Sequence, residues 1–214
     1  MRPKRSFFAR PTLEVAPDLL GMRLVRNVEG RHVSGRIVEV EAYIGEEDSA
    51  CHASRGKTPR NHLMFGPPGY AYIYFTYGMH WMLNVVTEGE GKPAAVLLRA
   101  LEPEEGIDLM RAHRSGSSDR DLAAGPARLC QALRIDGSIN GTDLVSGNDL
   151  FLEWVEPSGG PVPIGRTRRI GIHYAARKDR EALWRFVITG SPYVSRARPG
   201  TPRRRRKNGR GGNG

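Results

Sequence analysis

Residues Gly69–Val86 read GYAYIYFTYGMHWMLNVV. In the first part of this stretch, tyrosines alternate with apolar residues; they are Tyr70, Tyr72 and Tyr74. After a short link at 76–79, a second alternating run extends to Val86, and two such runs around a link with glycine predict a β-hairpin. The link carries Tyr77 and Met79, although turns usually hold small polar residues there. Bulky side chains at a hairpin tip indicate a partner surface.

The totals describe one folded domain. The chain has 214 residues, of which 39% are hydrophobic and 26% are charged, and this is enough for a single core. No apolar run reaches membrane-spanning length, and the N-terminus lacks the pattern of a secretory leader. The two cysteines, Cys51 and Cys130, lie far apart and predict reduced thiols in a cytoplasmic protein.

The positive charge is concentrated at the C-terminus. The formal net charge is +10, and the residues from Arg196 onward contain only basic charged side chains. We therefore expect a folded domain at 1–196 and a basic, disordered tail at 197–214. Such a tail suits the phosphates of a nucleic acid, although a tail that serves only solubility has the same composition.

The remaining patterns predict an α+β fold. Strands are predicted at 22–27, 36–43, 94–101, 150–155, 169–174 and 184–189, helices at 12–20, 104–114 and 127–133, a turn at 30–35 and a helix start at 58–61. Strands and helices do not alternate regularly. We therefore expect a single domain with a mainly antiparallel, curved β-sheet, surrounding helices and a protruding β-hairpin.

The strand predicted at 36–43, RIVEVEAY, has two different faces. One face holds Val38, Val40 and Ala42. The other holds Ile37, Glu39, Glu41 and Tyr43. From the strand alone, two solvent-facing acids on an edge strand are favoured over a functional face, since charged residues are mostly exposed.

Aromatic residues are concentrated around this strand and the hairpin. Five of the seven tyrosines lie between Tyr43 and Tyr77. Tyrosine faces suit an extruded nucleobase, because stacking contributes about 1–3 kcal/mol per base and a cationic base adds about 0.5–2 kcal/mol of cation–π attraction. A large residue could fill the gap in the duplex, and a carboxylate could activate a water that attacks the N-glycosidic bond.

These residues resemble the 3-methyladenine DNA glycosylases of the alkyladenine (methylpurine) type. The resemblance extends over about 11–195 and is carried by GRIVEVEAYIGEEDSACHASRGKTPRN (35–61), MFGPPGYAYIYFTYGMHWMLNVV (64–86), AAVLLRALEPEEG (94–106), AAGPARLCQAL (123–133) and GSPYVS (190–195). Several long blocks in one order are far more specific than a short motif.

The resemblance implies a role for each matching residue. Glu41 matches the general base that activates the attacking water, and Arg99 matches a residue near that water and the DNA backbone. For Arg99, a structural ion pair is the alternative. The residues that match the walls around the flipped purine are Tyr43, His52 and Tyr74. Asn84 matches the residue that discourages normal guanine by crowding its exocyclic amino group.

The hairpin tip is implied to enter the DNA. Tyr77 matches the residue that intercalates where the nucleotide was, and we assign Met79 to the same insertion. The next position, often Tyr in the family, is His80 here, so minor-groove contacts can differ.

The implied enzyme acts in base-excision repair. It flips 3-methyladenine and 7-methylguanine, and in a wider range hypoxanthine and ethenoadenine, out of double-stranded DNA. Because it uses water rather than an amine such as Lys57, it is monofunctional and leaves an abasic site. We expect no metal or cofactor, no membrane partner, a monomer, and a cytoplasmic, nucleoid-associated protein. A non-catalytic nucleic-acid-binding module and a hydrolase of free nucleosides are the alternatives.

Overall fold

The computed structural model describes residues 1–156, 160 and 162–196; the tail predicted at 197–214 lies outside them. Among the described residues, the strands are β1 (Arg23–Val28), β2 (Arg31–Ile44), β3 (Ala71–Thr76), β4 (His80–Val86), β5 (Ala94–Glu105), β6 (Leu150–Glu153), β7 (Ile164–Thr167) and β8 (Arg185–Ile188). The helices in the same residues are α1 (Arg5–Phe8), α2 (Thr12–Asp18), α3 (Ile107–His113), α4 (Pro126–Ala132) and α5 (Arg177–Glu181).

The strands form one open antiparallel sheet, which confirms the α+β prediction. Its main order is β3-β4-β5-β2-β1-β6, and β8 joins it through β2 and in turn pairs with β7. Strand β2 is the centre of the sheet. It pairs with β5 on one side, and on the other side first with β1 and then with β8. The hairpin of β3 and β4 lies at one end of the order, as its sequence predicts.

The two faces of the sheet carry different side chains: one forms the core, and the other holds the predicted site residues. Helices α2 and α4 pack on one face, where the main core includes Val40, Leu83 and Leu98. Because successive side chains of a strand point to opposite faces, the intervening positions lie on the other face. That second face receives the following side chains from β2 to β5: Glu41, Tyr43, Tyr72, Tyr74, Asn84 and Arg99. No helix within the described residues is long and apolar enough to span a membrane.

Strand β2 departs from simple alternation at Val38. Its pairing with β5 is irregular on both sides of Glu39, and Ile37 joins the main core together with Val40 and Ala42. The sequence prediction that Ile37 shares a face with Glu41 is therefore wrong, because a bulge inserts one residue between them. The exposed-edge alternative for the acids is also wrong, since β2 is an interior strand and Glu39 is completely buried.

Four further predictions differ from the structure. The chain reverses at Glu29–Gly30, where both residues have positive φ angles, and β2 then begins, so 30–35 is not a turn. Strand β5 runs on to Glu105, which delays the predicted helix until Ile107. Residues 58–61 form a turn before a 3-10 helix rather than the start of a helix. The strand predicted at 169–174 is a loop, and the strand of that region is β7.

The hairpin tip is a tight turn with unusual occupants. Tyr77 and Gly78 both lie in the left-handed region, at φ angles of 54° and 68°, and the Met79 amide donates to the Thr76 carbonyl. A left-handed conformation costs a non-glycine residue about 1–2 kcal/mol. Strain of this kind is typical of functional positions.

Burial in the central core should make a large contribution to the free energy of unfolding. Leu98 is fully buried in β5, directly behind the functional face, so Leu98→Ala should lower the free energy of unfolding by about 2–5 kcal/mol. Leu183, which is 52% exposed, gives the matched control, and its change to Ala should have an effect within about 0.5 kcal/mol. Urea unfolding measures both. Similar midpoints for the two variants would contradict this placement of the core.

Candidate active site

Glu41 is held rigidly on the second face of the sheet. Its Oε2 accepts hydrogen bonds from the Tyr43 hydroxyl at 2.9 Å and from Arg99 Nη1 at 3.1 Å. Its Oε1 accepts the backbone N–H of Ile170 at 2.7 Å. The side chain is fully buried, and a buried carboxylate needs such donors to remain charged. Three donors from three parts of the chain fix its orientation.

Arg99 is shared between two carboxylates. Its Nε donates to Glu39 Oε1 at 2.7 Å while its Nη1 reaches Glu41, and Arg185 Nε also donates to Glu39 Oε1 at 2.7 Å. Burial alone would raise the pKa of Glu39, but Arg99 and Arg185 hold that pKa below its ordinary value. Burial opposes the charge of Arg99 too, yet Glu41 and Glu39 raise its pKa. Arg99 thus forms the ion pair considered from the sequence, and one of its partners is the predicted base.

A buried arginine anchors the loop at 168–176. Arg169 makes a bidentate pair with Asp48, with N···O distances of 2.6 and 2.8 Å. Its guanidinium lies 4.7 Å from the ring centre of Tyr43 and 4.9 Å from that of Trp184. Because Ile170 is the next residue, this anchor fixes the N–H that holds Glu41. The sequence predicts a strand that begins at Arg169 and gives no sign of this burial, because the partner Asp48 is far away in the chain.

An aromatic cleft opens beside Glu41. The rings of Tyr72 and Tyr74 lie 5.5 Å apart, and His52 packs 4.4 Å from Tyr74. The Nδ1 atom of His52 and the Tyr72 hydroxyl are 2.8 Å apart, so a hydrogen bond fixes both rings. The residues that line the cleft are Tyr43, Ala50, His52, Met64, Tyr72, Tyr74, Asn84 and Tyr174.

The structure brings all the predicted pocket residues together. Tyr43 connects the cleft to Glu41 by its hydroxyl, while Arg99 lies behind Glu41 and not in the wall. Asn84 is buried, and its amide donates to the Tyr72 carbonyl at 3.0 Å. Tyr174 was missed because its segment was predicted as a strand. It is 71% exposed at the rim, and its hydroxyl donates to the Ala50 carbonyl at 3.1 Å.

The hairpin tip projects bulky side chains into solvent. Tyr77 is 65% and Met79 is 63% exposed, whereas the base of the tip is braced by Phe75 against Trp81, with ring centres 4.7 Å apart. Arg60 joins the hairpin to the cleft, because it donates to the Phe75 carbonyl at 2.9 Å and lies over the ring of Tyr74. Arg60 therefore lies between the exposed hairpin tip and the aromatic cleft.

The cleft has no charged side chain of its own at neutral pH. Burial, with a contribution from Arg60, lowers the pKa of His52 from 6.5 to about 4. Burial raises the pKa values of Tyr72 and Tyr74, and burial together with Glu41 raises that of Tyr43. At pH 7 the imidazole is neutral and the phenols are protonated, so these lining side chains add no charge of their own, and the positive charge of Arg60 lies at the edge of the cleft over Tyr74.

Comparison with known proteins identifies relatives over nearly the whole chain. The family model described as methylpurine-DNA glycosylase matches residues 6–192. A relative from Chlorobaculum tepidum is 48% identical over 204 residues, which are 95% of each chain. One from Methanocella arvoryzae is 49% identical over 92% of this chain and 96% of its own. One from Carboxydothermus hydrogenoformans is 51% identical over 90% and 97%. All three carry the name "Putative 3-methyladenine DNA glycosylase".

The environment of His52 predicts a pH dependence. Its pKa is lower in the folded protein, about 4, than the ordinary 6.5, so it contributes stability above pH 6.5 that is lost as the pH falls toward 4. The free energy of unfolding should therefore decrease more between pH 7 and pH 4.5 in the wild type than in His52→Asn. Urea unfolding at the two pH values measures this, and ¹⁵N NMR of the imidazole gives the pKa directly. An imidazole that titrates near 6.5 in the folded protein would contradict the burial argument.

Proposed function

This chain belongs to the methylpurine-DNA glycosylase family, and on that premise we propose that it excises cationic alkylated purines from double-stranded DNA with Glu41 as its general base. It is a DNA-3-methyladenine glycosylase, a DNA-repair hydrolase of N-glycosidic bonds. Family membership therefore disfavours the non-catalytic module and the nucleoside hydrolase. The observation that carries the proposal is a buried, triply held carboxylate beside an uncharged aromatic cleft.

Glu41 has the remaining capacity to bind a water. A carboxylate offers about four acceptor positions, and Tyr43, Arg99 and Ile170 use three of them. A water at the fourth gives its proton to Glu41 as its oxygen bonds to C1′ of the sugar. The bond from C1′ to the purine nitrogen breaks, and the base leaves with the bonding electrons. Arg99 keeps Glu41 charged and oriented for this step.

The cleft favours a base that already carries positive charge. Tyr72 and Tyr74 offer electron-rich faces, and a cationic ring gains about 0.5–2 kcal/mol from them. Such a base leaves as a neutral molecule and needs no proton. His52, with a pKa of about 4, and tyrosines with raised pKa values donate protons poorly at pH 7. We therefore rank 3-methyladenine and 7-methylguanine above hypoxanthine and ethenoadenine.

The hairpin gives the enzyme a means to extrude the base. Tyr77 is large, exposed and held in a strained turn, with Met79 beside it. Inserted into the duplex, Tyr77 fills the space left by the flipped nucleotide and offsets part of the unstacking cost. Asn84, fixed by the Tyr72 carbonyl, then lies in the wall where it can crowd the amino group of guanine.

Hydrolysis rather than attack by an amine follows from the same geometry. Lys57 is exposed and lies over the ring of Phe65, and it does not line the cleft. We therefore propose a monofunctional enzyme that leaves an abasic site in an intact strand. We also propose a cytoplasmic, nucleoid-associated monomer, because both cysteines are free thiols and DNA is the substrate.

The base assignment is tested by Glu41→Gln. This variant keeps the size of the side chain but cannot take the proton, so excision of 7-methylguanine should fall by at least about 100-fold while binding to the lesion duplex is retained. Glu47→Gln, an exposed acid on the same segment, is the matched control and should be fully active.

The readout is the appearance of free base and of alkali-sensitive sites. Full excision by the Glu41 variant would refute its role. Strand breaks before alkali treatment, or trapping by borohydride that requires Lys57, would refute the monofunctional mechanism.

The wedge is tested at Tyr77. Tyr77→Ser removes the ring and should weaken binding to a lesion duplex by about tenfold, as expected for the loss of 1–3 kcal/mol of stacking. Tyr77→Phe keeps the ring and should bind as the wild type does. On a single-stranded lesion, where no partner strand has to be unstacked, the difference should shrink. Equal affinity of the Ser and Phe variants for the duplex would argue against insertion.

A further inference from the structure

We propose that Glu39 is a positioning residue that sets the base strength of Glu41 through the arginine they share. This rests on the proposed function, in which Glu41 is the base. Glu39 and Glu41 are equally buried, but only Glu41 is joined to the cleft, through the hydroxyl of Tyr43. The partners of Glu39 do not line the cleft; they are Arg99, Arg185 and Ser195. A buried ion pair that serves stability alone could be replaced by apolar residues with little loss. The ion pair of Glu39 with Arg99, which also binds the base, is therefore not explained by stability alone.

Glu39 competes with Glu41 for the guanidinium of Arg99. Oε1 of Glu39 accepts from Arg99 Nε and Arg185 Nε, each at 2.7 Å, and from the Ser195 hydroxyl at 3.0 Å. Oε2 accepts the backbone N–H of Ser195 at 2.7 Å. The bond from Arg99 to Glu41 is longer, at 3.1 Å. Arg99 is thus held more closely to Glu39 than to the base.

The consequence for catalysis is electrostatic. The two acids and two arginines of this group balance one another in charge. Without the charge of Glu39, Arg99 and Arg185 would act on Glu41 alone, which would then hold a proton less well and be a weaker base. Without the charge of Arg185, the negative charge of Glu39 would be balanced by Arg99 alone. Glu41 would then feel more negative charge and hold a proton more strongly. The two changes must move its protonation in opposite directions.

Other charged or titratable groups around Glu41 stay constant in such variants. Those that interact with it from the neighbouring elements are Tyr43 on β2, Arg99 on β5, Tyr74 on β3 and Arg169 on the loop at 168–176. Arg169 is balanced by its own bidentate partner. The group of Glu39 and Arg185 can therefore be changed separately.

The experiment is the pH dependence of single-turnover excision of 7-methylguanine from a duplex. In Glu39→Gln the acid limb, where the excision rate rises with pH, should move to lower pH by about one unit. The maximal rate at higher pH should fall several-fold. In Arg185→Gln the limb should move to higher pH. Glu39→Asp and Arg185→Lys keep the charges and should leave the limb in place. Circular dichroism and lesion binding confirm that each variant is folded.

A second measurement does not depend on activity. ¹³C NMR of the Glu41 carboxyl in the free protein should show the same opposite displacements of its titration. If one variant does not fold, the other still gives a displacement of predicted sign. A limb and a carboxyl titration that stay in place in folded Glu39→Gln would overturn the inference.

The role of Glu39 and the proposed function can be disproved separately. If the wild type excises 7-methylguanine and Glu41→Gln does not, but Glu39→Gln leaves the profile unchanged, only the role of Glu39 fails. If Glu41→Gln remains active, the proposed function fails, whatever the NMR titration of Glu39→Gln shows.

Discussion

The buried contact of Arg99 with Glu39 and Glu41 is the constraint on which the site depends. It joins the two longest strands, β2 and β5, at the face opposite the core, and β8 reaches it through Arg185. Two buried carboxylates repel each other and would lose their hydration, so they can be ionised together only because two guanidinium groups lie between and beside them. The backbone N–H groups of Ile170 and Ser195 complete their shells from segments far apart in the chain. The two carboxylates therefore obtain their partners only when these distant segments fold together.

The hairpin of β3 and β4 has to be anchored in the core and also contribute side chains to the cleft. Residues on one face of β3 anchor it in the core through Ala71 and Ile73, while the tyrosines of the other face line the cleft. Strand alternation thus lets one short element be both structural and part of the site. The tip bears the exposed side chains of Tyr77 and Met79, and Tyr77 lies there in the left-handed region. In the proposed function, the rigid part is the buried surroundings of Glu41, and the exposed part is the tip that meets the DNA.

Local patterns were sufficient for the parts of the site that alternate. The hairpin faces, the burial of β5 and the gathering of Tyr43, His52, Tyr74 and Asn84 followed from period-two runs and from the family resemblance. The bulge at Val38 and the burial of Arg169 did not. Each depends on partners distant in sequence: Val38 on the register with β5, and Arg169 on Asp48, which lies 121 residues away. Neither partner can be recognised from the residues around it.

The same long-range dependence explains why Glu39 and Glu41 differ although their sequence surroundings are alike. Both are acids in an apolar strand, two residues apart, and both are completely buried. Glu39 meets two arginines and the serine of a distant segment, with three donors on Oε1 and one on Oε2. Glu41 meets one arginine, a phenol and one backbone N–H from the described residues, with two donors on Oε2 and one on Oε1. Because neither the arginines nor the serine lines the cleft, Glu39 can affect the site only through these partners. Glu41 is joined to the cleft by the Tyr43 hydroxyl, and in the proposed function it binds the attacking water from that side.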